Sequence, residues 1–195
     1  MYRGRVTLVD AKLELRARMR AERARLAVEL PDAGRQAARR LPIDRLPAFA
    51  AFAGYHALGS EMDPSALIRR LAATGAMFAL PIGLSRDGPL AFLAWRAEDV
   101  SAPDIFGVPS PPPSAAPLSP DLVIVPVLAF DRRGGRLGQG GGTYDRTLAN
   151  LRAARGVFVL GLAYAGQEID RVPGEAHDQR LDAILTEREF IEAGA

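Results

Sequence analysis

DLVIVPVLAFDRRGGRLGQGGGTYDRTL, residues 121–148, joins the most apolar run of the chain to a cluster of glycines and then to residues at helical spacing. Residues 121–130 are apolar without alternation after Asp121, the pattern of a strand buried on both faces of a sheet. Tyr144, Leu148 and Leu151 recur at helical intervals, so a helix is predicted to begin near Thr143. Between strand and helix stand Gly138, Gly140, Gly141 and Gly142, and glycine loses more backbone freedom on folding than any other residue. Strand, glycine loop, helix is the order in which backbone N–H groups and a helix amino end converge on an anion.

Two familiar nucleotide loops do not fit. A G-x-x-x-x-G-K-[ST] loop needs a lysine, and none lies near. The dinucleotide G-x-G-x-x-G leaves its strand at once, whereas about seven residues separate Phe130 from Gly138, and its sixth position here is Thr143. A flexible hairpin would use the glycines as slack, yet slack does not call for Arg136, Asp145 and Arg146 at the ends of the run. Arginine offers planar, bidentate donors to phosphate or carboxylate, and an aspartate closing such a loop is placed to hold Mg²⁺. By residue type the set suggests a nucleotide with its metal; Asp145 paired to an arginine as a structural ion pair is the other reading.

Outward from this stretch the chain alternates strands and helices. Residues 48–55, 77–81, 89–95 and 157–164 are predicted strands. Asp10 is a candidate cap for a helix from about 11 to 30, interrupted by Pro31 and Gly34 before a second helical piece to about 40, and Asp63 with Pro64 starts a helix ending at Thr74–Gly75. In the first helix Leu15, Met19, Leu26 and Leu30 share a face, with Lys12, Arg16, Arg20 and Arg23 on the stripe beside it. That stripe is either a solvated flank or the wall of a site. The six prolines between 108 and 120 exclude helix and central strand, and a covering loop is favoured there over a linker or a proline-rich ligand. The expected fold is α/β, one domain over residues 1–195, with a three-layer, mainly parallel sheet and helices on both faces.

Composition narrows the chemistry. The chain has 195 residues, 48% of them hydrophobic, enough for a sizeable core. It has no cysteine and two histidines, so thiolate nucleophiles and disulfides are excluded and a histidine-rich metal site is disfavoured. A net charge of +2 does not imply nucleic acid, and no run is apolar and long enough for a membrane span, so a cytoplasmic location is expected. Among 25 basic residues the only lysine is Lys12, a compact ammonium kept where arginine serves everywhere else.

PVLAFDRRGGRLGQGGGTYDRTL resembles the signature of the 5-formyltetrahydrofolate cyclo-ligase family, also called 5,10-methenyltetrahydrofolate synthetase. KLELR (12–16), GYHALGSEMDP (54–64) and HDQRLDAILTE (177–187) resemble three further blocks of that family in the same order. The resemblance implies a fold similar to the sugar-isomerase/CoA-transferase-like fold. It also implies an ATP- and Mg²⁺-dependent ligase that closes 5-formyltetrahydrofolate to 5,10-methenyltetrahydrofolate, with ADP and phosphate as the other products.

Carried over by position, Lys12, Leu13, Glu14, Leu15 and Arg16 are expected at ATP, as is the segment Arg136, Leu137, Gly138, Gln139, Gly140, Gly141, Gly142, Thr143, Tyr144 and Asp145. Lys12, Arg136 and Asp145 are the expected catalytic residues, and Asp145 and Asp178 the expected Mg²⁺ ligands. His56 and Glu61 are expected at the folate, sharing it with Gln139 to Thr143. Tyr144 is open to two readings, a ligand contact or the first core residue of its helix. The expected partners are small molecules, with neither nucleic acid nor membrane, and a monomer is expected. The chain departs from the family pattern at Thr143, which replaces the first of two aromatics, and at Ser110, which replaces an acid. A folate-binding regulatory protein on the same fold, without ATP turnover, and a sugar-phosphate or nucleotide enzyme of similar architecture are the alternatives.

Overall fold

The computed structural model describes residues 8–96, 99 and 101–194. In chain order its elements are α1 (Leu8–Glu29), α2 (Ala33–Arg40), β1 (Ala51–Ala53), α3 (Ser65–Ala72), β2 (Met77–Gly83), β3 (Leu90–Ala94), β4 (Ala102–Pro103) and β5 (Pro109–Ser110). There follow β6 (Leu122–Pro126), β7 (Ala129–Phe130), β8 (Arg136–Leu137), α4 (Thr143–Ala154), β9 (Phe158–Leu162), β10 (Ala183–Leu185) and β11 (Phe190–Glu192). Seven strands form one sheet in the order β11-β10-β9-β6-β1-β2-β3. Its interior pairs, β10 with β9, β9 with β6, β6 with β1 and β1 with β2, are parallel, and only the edge strands β11 and β3 run antiparallel to their neighbours.

Successive side chains of a strand point to opposite faces, and the core divides accordingly. Leu122, Ile124, Leu160, Leu162 and Phe52 pack on one side with residues of α1, α2 and α3, among them Leu26, Ala37 and Leu67. Val123, Val125, Val159 and Ala53 pack on the other with Leu148 of α4. This is the expected three-layer α/β fold. Burying each of these larger aliphatic side chains contributes about 1.5–3 kcal/mol.

Several local expectations change. The apolar run 121–130 is not one strand: it leaves the sheet after Pro126, and β7 pairs with β8 in a separate antiparallel ribbon. The break is held by buried Gln167, whose amide donates to the carbonyls of Val127 (2.8 Å) and Leu128 (2.9 Å). The strand predicted at 48–55 shortens to β1. Asp10 lies inside the first turn of α1 rather than before it, where an acid still favours the helix amino end. Gly34 does not interrupt a helix. It sits in the first turn of α2, where a Cβ would meet the Asp63 carbonyl oxygen at 2.2 Å, so its bareness lets α2 approach the start of α3. Asp63 accepts the Ser65 N–H (2.9 Å) and hydroxyl (2.6 Å), which fixes the amino end of α3.

The proline-rich stretch lies over a sheet edge, and none of residues 109–120 lines the cleft described below. Ala94 donates to Ala116 (2.8 Å) and Leu118 to Phe92 (2.9 Å), so residues 116–118 run along the free edge of β3, where unpaired backbone groups would otherwise face solvent. Just before it, β4 and β5 make a hairpin whose turn is tied by Asp104, which accepts N–H groups of Gly83, Phe106 and Val108 at 2.9, 2.8 and 3.0 Å.

Candidate functional site

From β1 the chain passes to β2 on one side, and β6 later adds on the other side of β1, so the topology of the sheet reverses between β1 and β6. In open α/β sheets the crevice beyond the carboxyl ends of the strands at such a point is the natural ligand site. Here it holds a cleft of about 490 Å³, walled by Tyr55 and His56 after β1 and by Pro126, Val127 and Leu128 at the end of β6. α1 contributes Lys12, Arg16 and Arg23, the glycine loop Arg136 through Asp145, and the β4–β5 turn Phe106 and Val108.

The glycines divide into two kinds. Gly140 (φ +110°) and Gly142 (φ +65°) occupy backbone conformations that strain any L side chain. Gly138 and Gly141 have no such φ, and a Cβ on either would meet only side-chain atoms at 3.6 and 3.5 Å, ordinary contact. The fold therefore tolerates a side chain at these two positions, both of which line the cleft. Gly142 leads directly into α4, whose amino end opens on the same cleft through Thr143 and Tyr144. Tyr144 packs against the core beside Leu148, as one of its two readings had it, and also lines the cleft.

α1 grips this loop. Arg16 Nε donates to the Gly138 carbonyl (3.1 Å), and Arg20 Nε to Gln139 Oε1 (3.0 Å). One helical turn away, buried Lys12 donates to Glu175 Oε2 (2.9 Å) and Asp178 Oδ2 (2.8 Å). Burial alone would lower the Lys12 ammonium's pKa, but its bonds to Asp178 and Glu175 outweigh that and raise it above the ordinary value. Arg136, almost fully buried, donates Nη2 to Asp145 Oδ1 (2.5 Å) and Nε to the Gln179 carbonyl (3.0 Å), and the Gln179 N–H also donates to Asp145 Oδ1 (3.0 Å). The ion pair foreseen as one reading of Asp145 is therefore formed, with Arg136 as partner.

Of the expected metal ligands, Asp178 belongs to a compact donor group with Glu175 and His177, whose ligand atoms lie within 4.8 Å of one another; Asp145 is outside that group. Leu13 and Glu14 are exposed, and Leu15 packs against Met19 and Leu137, so these three do not line the cleft. They lie on α1 away from the stripe that carries Lys12 and Arg16.

At the opposite end stand His56 and Glu61. His56 Nε2 is buried and has no hydrogen-bond partner, and burial depresses the imidazole's pKa, leaving a neutral ring with an open nitrogen beside the cleft. Burial holds the Glu61 carboxyl above its ordinary pKa, and the Leu58 N–H (3.0 Å) and Arg23 offset only part of that rise. Such an acid and such a histidine can accept and donate hydrogen bonds to a flat heterocycle rich in N–H groups. Sequence reasoning did not assign Arg23, Tyr55 or Glu175 to the site. Arg23 shared the helical stripe of Lys12 and Glu175 lies three residues before Asp178, so both were within reach; Tyr55 was hidden inside an apolar run. Ser110 is buried at the base of the hairpin, bonded to the Val108 carbonyl (3.1 Å), and does not line the cleft.

Comparison with known proteins agrees with this architecture. Residues 9–187 match the 5-formyltetrahydrofolate cyclo-ligase family. The chain is 35% identical to the 5-formyltetrahydrofolate cyclo-ligase of Mycolicibacterium smegmatis, over 71% of this chain and 74% of that one. It is 31% identical to that of Escherichia coli K12, over 78% and 87%. In fold it is similar to the 5,10-methenyltetrahydrofolate synthetase of Aquifex aeolicus, with a TM-score of 0.76, 24% identity and coverage of 94% and 93% of the two chains. The family match across nearly the whole sheet and cleft, together with these relatives, places this chain in the 5-formyltetrahydrofolate cyclo-ligase family.

Proposed function

We propose that this chain closes 5-formyltetrahydrofolate to 5,10-methenyltetrahydrofolate at the expense of ATP, in the cleft at the β1–β6 reversal. The observation that carries this is the polarity of the cleft: cations, bare glycines and a helix amino end at one end, a buried acid and an unpartnered histidine nitrogen at the other. ATP would supply the γ-phosphoryl group that makes the formyl oxygen a leaving group, so that N10 of the same molecule can close the ring and phosphate depart.

The residues present fit these ligands. Lys12, Arg16 and Arg136 would neutralise phosphate charge, and the N–H groups around Gly138–Gly142 would hold phosphate oxygens, because charge stabilisation and positioning dominate phosphoryl transfer. Asp178 and Asp145 would hold Mg²⁺, with Glu175 beside Asp178; Asp145 uses one oxygen, Oδ1, for both its bonds to Arg136 and Gln179, and carboxylate oxygens suit this hard ion. Lys12 would pass from the carboxylates to phosphate as a point charge. His56 and Glu61 would orient the pterin, and Gln139 to Thr143 would close over the place where formyl oxygen and phosphate meet. No protein nucleophile is required, since the attacking nitrogen belongs to the substrate and is held close by its own ring system.

The test is the appearance of the methenyl chromophore, a near-ultraviolet absorbance that 5-formyltetrahydrofolate lacks, on mixing with ATP and Mg²⁺. The expected result is an absorbance rise matched by ADP. Neither signal appearing, under conditions where the protein is folded, would overturn the assignment.

A further inference from the structure

Arg23 lies three turns along α1 from Lys12, about 16 Å of helix rise, and so reaches the folate end of the cleft while Lys12 reaches the phosphate end. Its guanidinium is almost wholly withdrawn from solvent, with a side-chain exposure of 8%, and that of Glu61 opposite is 9%. Arg23 Nη1 faces Glu61 Oε1 at 3.5 Å, and Arg23 Nε donates to Ser60 Oγ at 3.1 Å. One planar group thus holds two adjacent residues of the 55–62 loop. The other carboxylate oxygen, Glu61 Oε2, accepts the Leu58 N–H, and the Tyr55 hydroxyl fixes the far end of the loop by donating to the Met62 carbonyl (2.7 Å).

We propose that Arg23 is a positioning residue for substrate binding, clamping Glu61 directly and through Ser60 so that its carboxyl group is presented in one orientation to the N–H groups of the pterin; this rests on the function proposed above. A buried arginine is costly to desolvate, and here it faces a single carboxylate at a distance longer than a strong charge-assisted bond. That spacing leaves Glu61 with acceptor capacity, since each carboxylate oxygen has two lone-pair sites and Oε1 makes no shorter contact to Arg23. The geometry uses the fork of arginine. A lysine could supply the charge but not both anchors from one rigid plane.

The experiment compares the parent with Arg23→Gln, Arg23→Lys, Ser60→Ala, Glu61→Gln and the Arg23→Gln/Glu61→Gln double variant. Equilibrium binding of 5-formyltetrahydrofolate alone and KM values for both substrates are measured, with circular dichroism reporting the fold. Arg23→Gln is expected to weaken folate binding and raise its KM about tenfold, with the KM for ATP changed less than about twofold; Arg23→Lys recovers part of the loss. Because the effect passes through Glu61, adding Arg23→Gln to Glu61→Gln should cost less than about twofold more. If Arg23→Gln does not fold, Ser60→Ala, which frees one anchor with little loss of packing, decides by a smaller change in the same direction. Unchanged folate binding, an equal rise in the KM for ATP, or additive effects in the double variant would overturn the positioning role while leaving the proposed activity intact. A parent protein that does not bind 5-formyltetrahydrofolate would overturn both.

Discussion

At the scale of single residues, Lys12 shows how one buried charge ties α1 to residues 175–178 at the cleft. Burial would push the Asp178 carboxyl up, but the Lys12 hydrogen bond and the Glu175 N–H hold it below its ordinary 3.8. A carboxyl lowered in the folded state adds stability that is present above its unfolded pKa and lost as pH falls through the folded one; the raised Lys12 adds stability present below 10.5 and lost as pH rises above it. In thermal melts Lys12→Met should therefore be less stable than the parent by a constant margin from about pH 5 to 9. The margin should narrow in acid as Asp178 protonates in both proteins. A margin that widens in acid would refute the coupling. The glycines offer a second contrast. Gly34→Ala should lose about 2–3 kcal/mol in urea unfolding, since its Cβ collides with backbone. Gly141→Ala, with neither strain nor crowding, should melt within about 2 °C of the parent yet lose at least tenfold in kcat/KM. An equal loss of stability in the two would remove the distinction.

At the scale of elements, the decisive event is the exit of β6 from the sheet at Pro126. Val127 and Leu128 then form the floor of the cleft and leave their carbonyls without sheet partners, and buried Gln167 supplies both donors while its own Oε1 accepts the Tyr164 N–H (2.8 Å). Gln167→Leu orphans two buried carbonyls and one N–H, for an expected loss of about 2–4 kcal/mol in urea unfolding, with folate and ATP KM values rising together because the floor serves both. A variant as stable as the parent would show that water replaces the amide. Local pattern was enough to find most elements. The apolar runs at 77–81, 89–95 and 157–164 became strands, and Asp63–Pro64 marked a helix start. Pattern could not show that 121–130 breaks, because an apolar run reads alike whether its backbone stays in a ladder or turns out of it; the deciding partner, Gln167, lies some forty residues away in sequence.

At the scale of the molecule, the cleft is assembled from segments at both ends of the chain. α1 ties to the glycine loop through Arg16 and Arg20, and to residues 175–178 through Lys12. A non-hydrolysable ATP analogue with Mg²⁺ should consequently slow amide exchange in α1, in residues 138–145 and around 175–179 together. At a hundred times its Kd it should stabilise the fold by about 2.7 kcal/mol. Protection confined to the glycine loop would argue against a shared phosphate site. No helix among the described residues is long and apolar enough to cross a membrane.

What the amino-acid sequence determined by itself was the class of fold, the family, and the identity of the chemical groups: the single lysine, the glycine run with its flanking charges, Glu61 and Asp178. The class of fold follows from periodicity and local spacing, which residues carry wherever they end up; the family, and with it Glu61 and Asp178, follows from the resemblance of four sequence blocks to that family. Only the tertiary structure decided which groups meet. It paired Asp145 with Arg136, seated Lys12 between Glu175 and Asp178, turned Leu13 and Glu14 to solvent, and set Arg23 against Glu61. The physical reason is that such contacts are set by how a helix lies across a sheet. A change of about 100° in the rotation of α1 per residue would leave its sequence pattern intact and exchange every side chain it presents to the cleft.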